Sequence, residues 1–239
     1  MKEHPSSFAT TPKPRDDGTL QVTITYLQMM RQPTGTPKRP PLSDLAVFRV
    51  KQPALAFYRF LYNQVGEPWL WYERRAMSDS DLQDILSQEK VHVYVLYRGG
   101  EPAGYVELDF RREDEAEVAY FGLLPWHIGS GIGPWFLEWA VRAAWTDKPK
   151  KLIVNTCNLD HPKAIIVYQQ AGFRPYRQET VTIRDPRQEP FWNGPAPSAG
   201  ATLPASVCEP ESGVPSRLGK NFLGRDESDE TATFENEGL

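Results

Sequence analysis

The sequence predicts an α/β (α+β) fold with a mixed, mostly antiparallel central sheet flanked by helices. Three observations lead there. Segments at 22–27, 91–97 and 103–110 carry the β-rich, period-two patterning of strands. Stretches with helical start and stop signals lie between and after them. Finally, a strand-like run at 117–124 passes through a glycine-rich turn into a long apolar helix, a junction that lays helix against sheet.

Residues 1–18 are rich in Pro, Ser, Thr and charge with a single aromatic, and are expected to be disordered. The alternation of Val22, Ile24 and Tyr26 with threonines predicts the first strand at 22–27. Four prolines and a glycine within 32–41 predict a loop. A short second strand follows at 45–50, and Pro53 opens a helix over 53–65. Aromatics are densest here: Phe57, Tyr58, Phe60 and Tyr62, then Trp69, Trp71 and Tyr72. Ser78 with Asp79 and Asp81 behind it is a cap signal for a short helix over 78–88. Gly99 and Gly100 join strands 91–97 and 103–110 into a hairpin. Polar residues 111–114 turn the chain into the central strand.

The helix over 133–146 is apolar nearly all round, with Glu138 and Arg142 marking a narrow wet edge. A buried strand is predicted at 151–157, then a helix that Pro162 opens and Gly172 closes, then a last strand at 180–183. Beyond Pro186 the composition turns to Pro, Ser, Gly and Ala. Residues 188–239 hold nine acids against three Lys or Arg, so this segment is expected to be a disordered acidic tail behind one domain at 19–187.

With 40% hydrophobic and 12% aromatic residues the chain can bury a full core. Its net charge of −4 is too small to imply a nucleic-acid partner. No apolar run approaches 18 residues and the N-terminus lacks a charged-then-apolar signal pattern, so no membrane association and a cytoplasmic location are expected. Cys157 and Cys208 stand far apart, and four scattered histidines give no metal pattern, so no metal is expected.

Ile128-Gly129-Ser130-Gly131-Ile132-Gly133, followed by Pro134, places small residues where strand becomes helix. Main-chain N–H groups and the positive end of a helix dipole make such a turn an anion site, usually for phosphate. Spacing decides which kind. The dinucleotide pattern Gly-x-Gly-x-x-Gly fails because Pro134 takes the last glycine's place, and the P-loop fails because Pro-Trp follows Gly133. The turn resembles instead the pyrophosphate loop of the GNAT superfamily of N-acetyltransferases, Gln/Arg-x-x-Gly-x-Gly/Ala, matching at Gly131 and Gly133 and departing at Ile128. A second block, 155–173, resembles the superfamily's later motif Asn-x-x-Ala-x-x-x-Tyr-x-x-x-Gly-Phe: Ala164, Tyr168, Gly172 and Phe173 are in register, with His161 in the asparagine's place. The resemblance covers most of 19–184 and implies the GNAT fold.

It also implies site residues. Acetyl-CoA is the implied co-substrate, bound by the main chain of Leu123 and Leu124 and by the turn of Ile128, Gly129, Ser130, Gly131, Ile132 and Gly133. Asn158, His161 and Lys163 lie after strand 151–157, near the implied path of coenzyme A. Glu117, fourteen residues before Gly131, stands where protein-lysine members carry a general base, and Glu107 on the preceding strand competes for that role. A carboxylate needs burial to serve as a base at pH 7, so the more buried of the two is expected to act. Tyr168 matches the tyrosine that protonates the departing thiolate in many members. His127 is expected to be exposed, and Cys157 to be a small buried hydrophobe.

The aromatic stretch at 53–75 is the expected wall of the acceptor pocket, where Glu67 and Glu73 can attract a cation. The resemblance thus implies an N-acetyltransferase that moves an acetyl group to a primary amine by direct attack in a ternary complex. The acceptor is a small molecule or a protein amino group, and the sequence leaves the oligomeric state open. The alternative is a GNAT-like module that binds an acyl-CoA without turnover.

Overall fold

The computed structural model describes residues 13–193. Seven strands, β1 (Thr19–Met29), β2 (Leu45–Val50), β3 (Val91–Arg98), β4 (Glu101–Asp109), β5 (Glu115–Leu123), β6 (Lys151–Cys157) and β7 (Arg174–Arg184), form one sheet in the order β2-β3-β4-β5-β6-β1-β7. Every pairing is antiparallel except β5 with β6, so the expected mixed, mostly antiparallel sheet is present.

Among the described residues six α-helices flank it: α1 (Leu55–Gly66), α2 (Glu73–Ala76), α3 (Asp79–Leu86), α4 (Gly133–Ala144), α5 (Ala164–Gln170) and α6 (Pro190–Asn193). The cap signal at Ser78 holds, since its side chain accepts a hydrogen bond from the Asp81 N–H and so satisfies a donor at the start of α3.

Alternation along the strands sorts side chains onto two faces. On one face Val106 and Leu108 of β4, Ala116 and Val118 of β5 and Leu152 and Val154 of β6 pack against Phe136, Leu137, Ala140 and Val141 of α4 and Tyr168 of α5. On the other, Val93, Val95, Tyr105 and Tyr120 pack against Tyr58, Leu61, Tyr62 and Val65 of α1 and Leu82 and Leu86 of α3. Beside these, Leu20, Val22, Ile24, Leu70, Tyr72, Ile183, Phe191 and Trp192 close the β1–β7 end of that second face.

The feature that positions the site is a break in pairing. Between β5 and β6 only Glu115, Glu117 and the residue between them pair, with Lys151–Ile153. Beyond Ile153 strand β6 continues against β1 as far as Cys157, while β5 continues against β4 as far as Leu123. A bulge helps them part: Leu108 pairs with Val118 but Glu107 pairs with Tyr120, so Ala119 is an extra residue in β5. Bulges increase local twist and turn a strand away from its neighbour. The two strands therefore open into a slot above Glu117.

Three boundaries differ from expectation. β1 and β7 each run for 11 residues, because they pair with each other along nearly their whole length. Residues 13–18 form a turn in which the Gly18 N–H donates to the Arg15 carbonyl, while 1–12 lie outside the described residues. The ordered chain also passes the expected boundary at 187. A single 3-10 turn at Pro186–Gln188 leads into α6, whose Phe191 and Trp192 are buried. The rest of the expected tail, 194–239, lies outside the described residues.

Candidate active site

The glycine turn is built by the alternation of its residues. Ile128 packs against the α1-side core and Ile132 is fully buried against the α4-side core. These two pegs leave Gly129, Ser130 and Gly131 on the outside. Gly129 and Gly131 have φ of +81° and +79°, the left-handed region that side chains disfavour. A Cβ at either would meet nothing within 4 Å, so the space in front of the turn is open. The His127 carbonyl accepts from both Ser130 N–H (3.3 Å) and Ser130 Oγ (2.6 Å), which fixes the curl. Among the described residues no side chain caps the start of α4, the kind of helix start that can bind an anion. The departure at Ile128 has a physical account: its side chain anchors the turn, and the main chain of the turn faces open space.

The slot between β5 and β6 leads to this turn. Glu117 sits in the last row where the two strands pair, opposite Asp109 of β4 and Ile153 of β6. Its neighbours Ala116 and Val118 face α4, so Glu117 points to the α1 side. It is only 6% exposed, and its charge acts on Arg112, which helps hold that guanidinium above its ordinary pKa against the cost of burial. Tyr168 lies across the sheet, buried on α5 beside Phe173 with ring centroids 5.9 Å apart. The two expected catalytic side chains thus lie on opposite faces of the sheet.

Of the two, Glu107 is the more buried, at 0% exposed against 6%, so the burial criterion points to Glu107 rather than Glu117. Glu107 Oε1 accepts from Arg74 Nη2 at 2.5 Å and its Oε2 accepts from the Tyr58 hydroxyl, both inside the α1-side core. Burial opposes the Arg74 charge, yet the Glu107 carboxylate holds the guanidinium well above its usual pKa. The Tyr58 hydroxyl is likewise pushed up, first by burial and then by Glu107. Glu107 is therefore half of a buried ion pair.

The residues expected along coenzyme A separate. Asn158 accepts from Thr23 N–H (3.0 Å) and donates to the Gln21 carbonyl (3.2 Å), so its carboxamide straps the turn after β6 to β1. His161 Nδ1 accepts from the Lys163 N–H, and its ring stacks edge-on to Trp69, 5.1 Å between centroids. Burial, then Lys163, lowers its pKa, favouring the neutral ring. Lys163 itself is exposed at the start of α5.

His127 is a correction. It is 5% exposed rather than open, with Nε2 3.2 Å from Glu101 Oε1, because the 3-10 turn at Pro125–His127 folds its ring inward. Cys157 is half-buried near the outer end of the slot.

Sequence reasoning passed over Arg74 and Asp160. Asp160 Oδ1 accepts from Trp71 Nε1 (3.0 Å) while Oδ2 accepts from Thr156 Oγ1 (2.8 Å) and Cys157 N–H (3.0 Å). Trp71 also lies 5.3 Å from the Tyr120 ring of β5. The indole therefore bridges the two parted strands on the α1 side. A tryptophan hydrogen-bonded across 89 residues leaves no local signal, though an acid three residues after a strand end, as at Asp160, is a turn-capping pattern. Among the described residues no cluster of three His, Cys, Asp or Glu could hold a metal ion, and no helix is long and apolar enough to cross a membrane.

Comparison with known proteins places this geometry. No curated protein matches the chain in sequence. Among solved structures it is similar to a conserved protein of unknown function from Staphylococcus epidermidis ATCC 12228, with 14% identity over 71% of this chain and 64% of that one and a TM-score of 0.49. A GCN5-related N-acetyltransferase from Sphaerobacter thermophilus shares 16% identity over 70% of this chain and 52% of its own, with a TM-score of 0.49. An aminoglycoside acetyltransferase from an uncultured soil metagenomic sample shares 15% over 56% and 93%, with a TM-score of 0.46. The chain thus spans less than two thirds of the first two. A family model described as the acetyltransferase (GNAT) family matches residues 54–173, from the end of the β2–α1 connection through the glycine turn to Phe173. That match takes in half of the chain, including the slot, the turn and both expected catalytic side chains, and the chain belongs to the acetyltransferase (GNAT) family.

Proposed function

We propose that the protein is an acetyl-CoA-dependent N-acetyltransferase that transfers acetyl directly to a primary amine in a ternary complex. One observation carries the reading: the slot that opens above Glu117 runs toward an uncapped, outward-facing glycine turn at the start of α4. A thioester arm laid along such a slot has main chain of β5 beside it and its pyrophosphate on the turn of Ile128, Gly129, Ser130, Gly131, Ile132 and Gly133. In this reading Leu123 contributes through its backbone, whereas the Leu124 N–H is donated to the Ala103 carbonyl and the Leu124 carbonyl accepts from the His127 N–H.

Glu117 takes a proton from the acceptor's ammonium, directly or through one water. An amine with a pKa near 10 is almost wholly protonated at pH 7, so this step is required before attack. The amine nitrogen then bonds to the thioester carbonyl carbon, and the adduct gives up its second N–H proton to solvent as it collapses to the neutral amide with cleavage of the C–S bond. Tyr168 gives the departing thiolate its proton and recovers it from solvent. The balance is one ammonium and one acetyl-CoA giving one N-acetyl amide, one coenzyme A thiol and one proton.

Initial rates measured over a matrix of acetyl-CoA and amine concentrations test the ternary complex. Intersecting reciprocal plots are expected. Parallel plots with release of coenzyme A before amine is added would mean an acetyl-enzyme intermediate and overturn direct attack.

A further inference from the structure

Asp109 of β4 is the cross-strand partner of Glu117. Its neighbour Leu108 faces α4, so Asp109 points with Glu117 to the α1 side. Directly opposed side chains of an antiparallel pair stand about 4.5–5.5 Å apart at Cβ, and like charges so placed repel. Both carboxylates are 6% exposed, so little water lies between them. Arg111 holds Asp109 from its other side. Oδ1 accepts from the Arg111 N–H (3.0 Å) and from Nε (3.0 Å), and Oδ2 accepts from Nη2 (2.7 Å), a fork that favours a charged carboxylate. The Arg111 side chain is 29% exposed against 7% for Asp109, so solvent screens the cation more than the acid.

The other charges around Glu117 are engaged among themselves. Glu115, next on the same face of β5, accepts from Arg112 Nη1 (2.5 Å) and lies 2.6 Å from Lys151 Nζ. Burial opposes the Arg112 charge, but its bond to Glu115, then the charges of Glu117, Glu115 and Asp109, hold its pKa above the ordinary value, which sets all three acids toward one guanidinium. Two residues back along β4, Glu107 is paired with Arg74. On β6 the partner of Glu117 is the uncharged Ile153.

We propose that Asp109 is a positioning residue for the base: its fixed negative charge, held across the strand pair from Glu117, makes the Glu117 carboxylate a stronger proton acceptor. Its part in turnover rests on the acetyltransferase reading above. An ordinary carboxylate takes a proton poorly at pH 7, and burial or a neighbouring carboxylate strengthens it. Burial is common to Glu107 and Glu117, so the neighbour separates them: Glu107 bonds a cation directly, whereas Glu117 stands opposite an anion.

The test titrates the side-chain carboxyl carbons of the full chain, labelled at glutamate, by carbon NMR, with the Glu117 signal assigned by its loss in Glu117→Gln. In Asp109→Asn the midpoint of that signal should fall by about one pH unit, a roughly tenfold weaker hold on the proton. Arg111→Gln removes the offsetting cation while the main-chain N–H at 111 still serves Asp109, and should move the midpoint upward. The acid limb of kcat/KM with butylamine or a lysine peptide should move with the midpoint in each variant, which a merely structural role for Asp109 would not cause. An unmoved midpoint in both folded variants, or a fall in both, overturns the proposal, and if Asp109→Asn does not fold, Arg111→Gln decides alone. Midpoints that shift as expected while the limb stays in place would sustain the coupling of the two carboxylates and overturn the reading of Glu117 as the base.

Discussion

Glu107 and Glu117 stand on neighbouring strands of one sheet and point to the same face, yet their surroundings give them opposite fates. Removing the Glu107 charge leaves Arg74 buried without its carboxylate, and breaking a buried pair from one side costs about 3–5 kcal/mol. Glu107→Gln should therefore lower the urea midpoint strongly, and any activity loss should follow unfolding. Glu117→Gln should leave the melting curve and acetyl-CoA affinity nearly unchanged while turnover falls by roughly 10²–10⁴-fold, the usual contribution of a positioned base. That loss should shrink at high pH, where solvent deprotonates the amine, whereas the slower thiolate departure of Tyr168→Phe should not recover in the same way. A dead but stably folded Glu107→Gln beside an active Glu117→Gln would reverse the assignment. Glu117 and Tyr168 were singled out because the family resemblance implies them, fourteen residues before Gly131 and four before Gly172. Arg74 and Asp160 were not, since each acts through a partner distant in sequence, Glu107 or Trp71.

At the level of elements, the turn and the strand break do the positioning. Gly131→Glu places a side chain where φ is +79° and fills the open space in front of α4, so it should abolish coenzyme A binding at a cost to stability of only about 1–2 kcal/mol. Calorimetry finding unchanged affinity in the folded variant would separate the turn from the anion. Element types and order followed from the sequence because strand periodicity, Ser78, Pro134 and Gly172 are local signals. The full lengths of β1 and β7 are tertiary, set by their mutual pairing, and the parting of β5 from β6 depends on a bulge at Ala119 that no residue type announces. Past β7, Asp185 caps the 3-10 turn through the Arg187 N–H and pairs with the Arg187 side chain. Burial opposes its charge, but these bonds more than offset that and hold its pKa below the ordinary 3.8. A depressed carboxyl stabilises the fold above its unfolded pKa and loses that contribution as pH falls through the folded value. Asp185→Asn should therefore flatten the fall in stability below about pH 4, as followed by urea midpoints across pH. An unaltered acid slope would remove Asp185 from the account.

Over the whole molecule, the α4 and α5 side of the sheet carries Ile132 of the glycine turn and Tyr168, and the α1 side carries both carboxylates and the aromatic residues Tyr58, Tyr62, Trp69 and Trp71. The second face is completed from an unexpected direction. Phe191 and Trp192 lie where the composition reads as tail, because the proline- and polar-rich residues around them outweigh two aromatics in any average over that stretch. Trp192 also receives Arg75 over its ring at 4.3 Å and accepts from Arg75 Nη1 at 2.6 Å. Trp192→Ala in the full chain should cost about 3 kcal/mol, read as a shifted urea midpoint, and a change within about 0.5 kcal/mol would mean that α6 adds nothing to the core. The central claim is that this sheet, with its slot, moves an acetyl group from a thioester to an amine. Its most direct test is carbon NMR of one sample holding the full chain, acetyl-CoA labelled at the carbonyl carbon and butylamine or a lysine peptide. The account predicts that an amide carbonyl signal grows as the thioester signal falls, in equal amounts, and slows by roughly 10²–10⁴-fold with Glu117→Gln. A thioester that persists while bound, or one that ends as acetate in the presence of either amine, would contradict it.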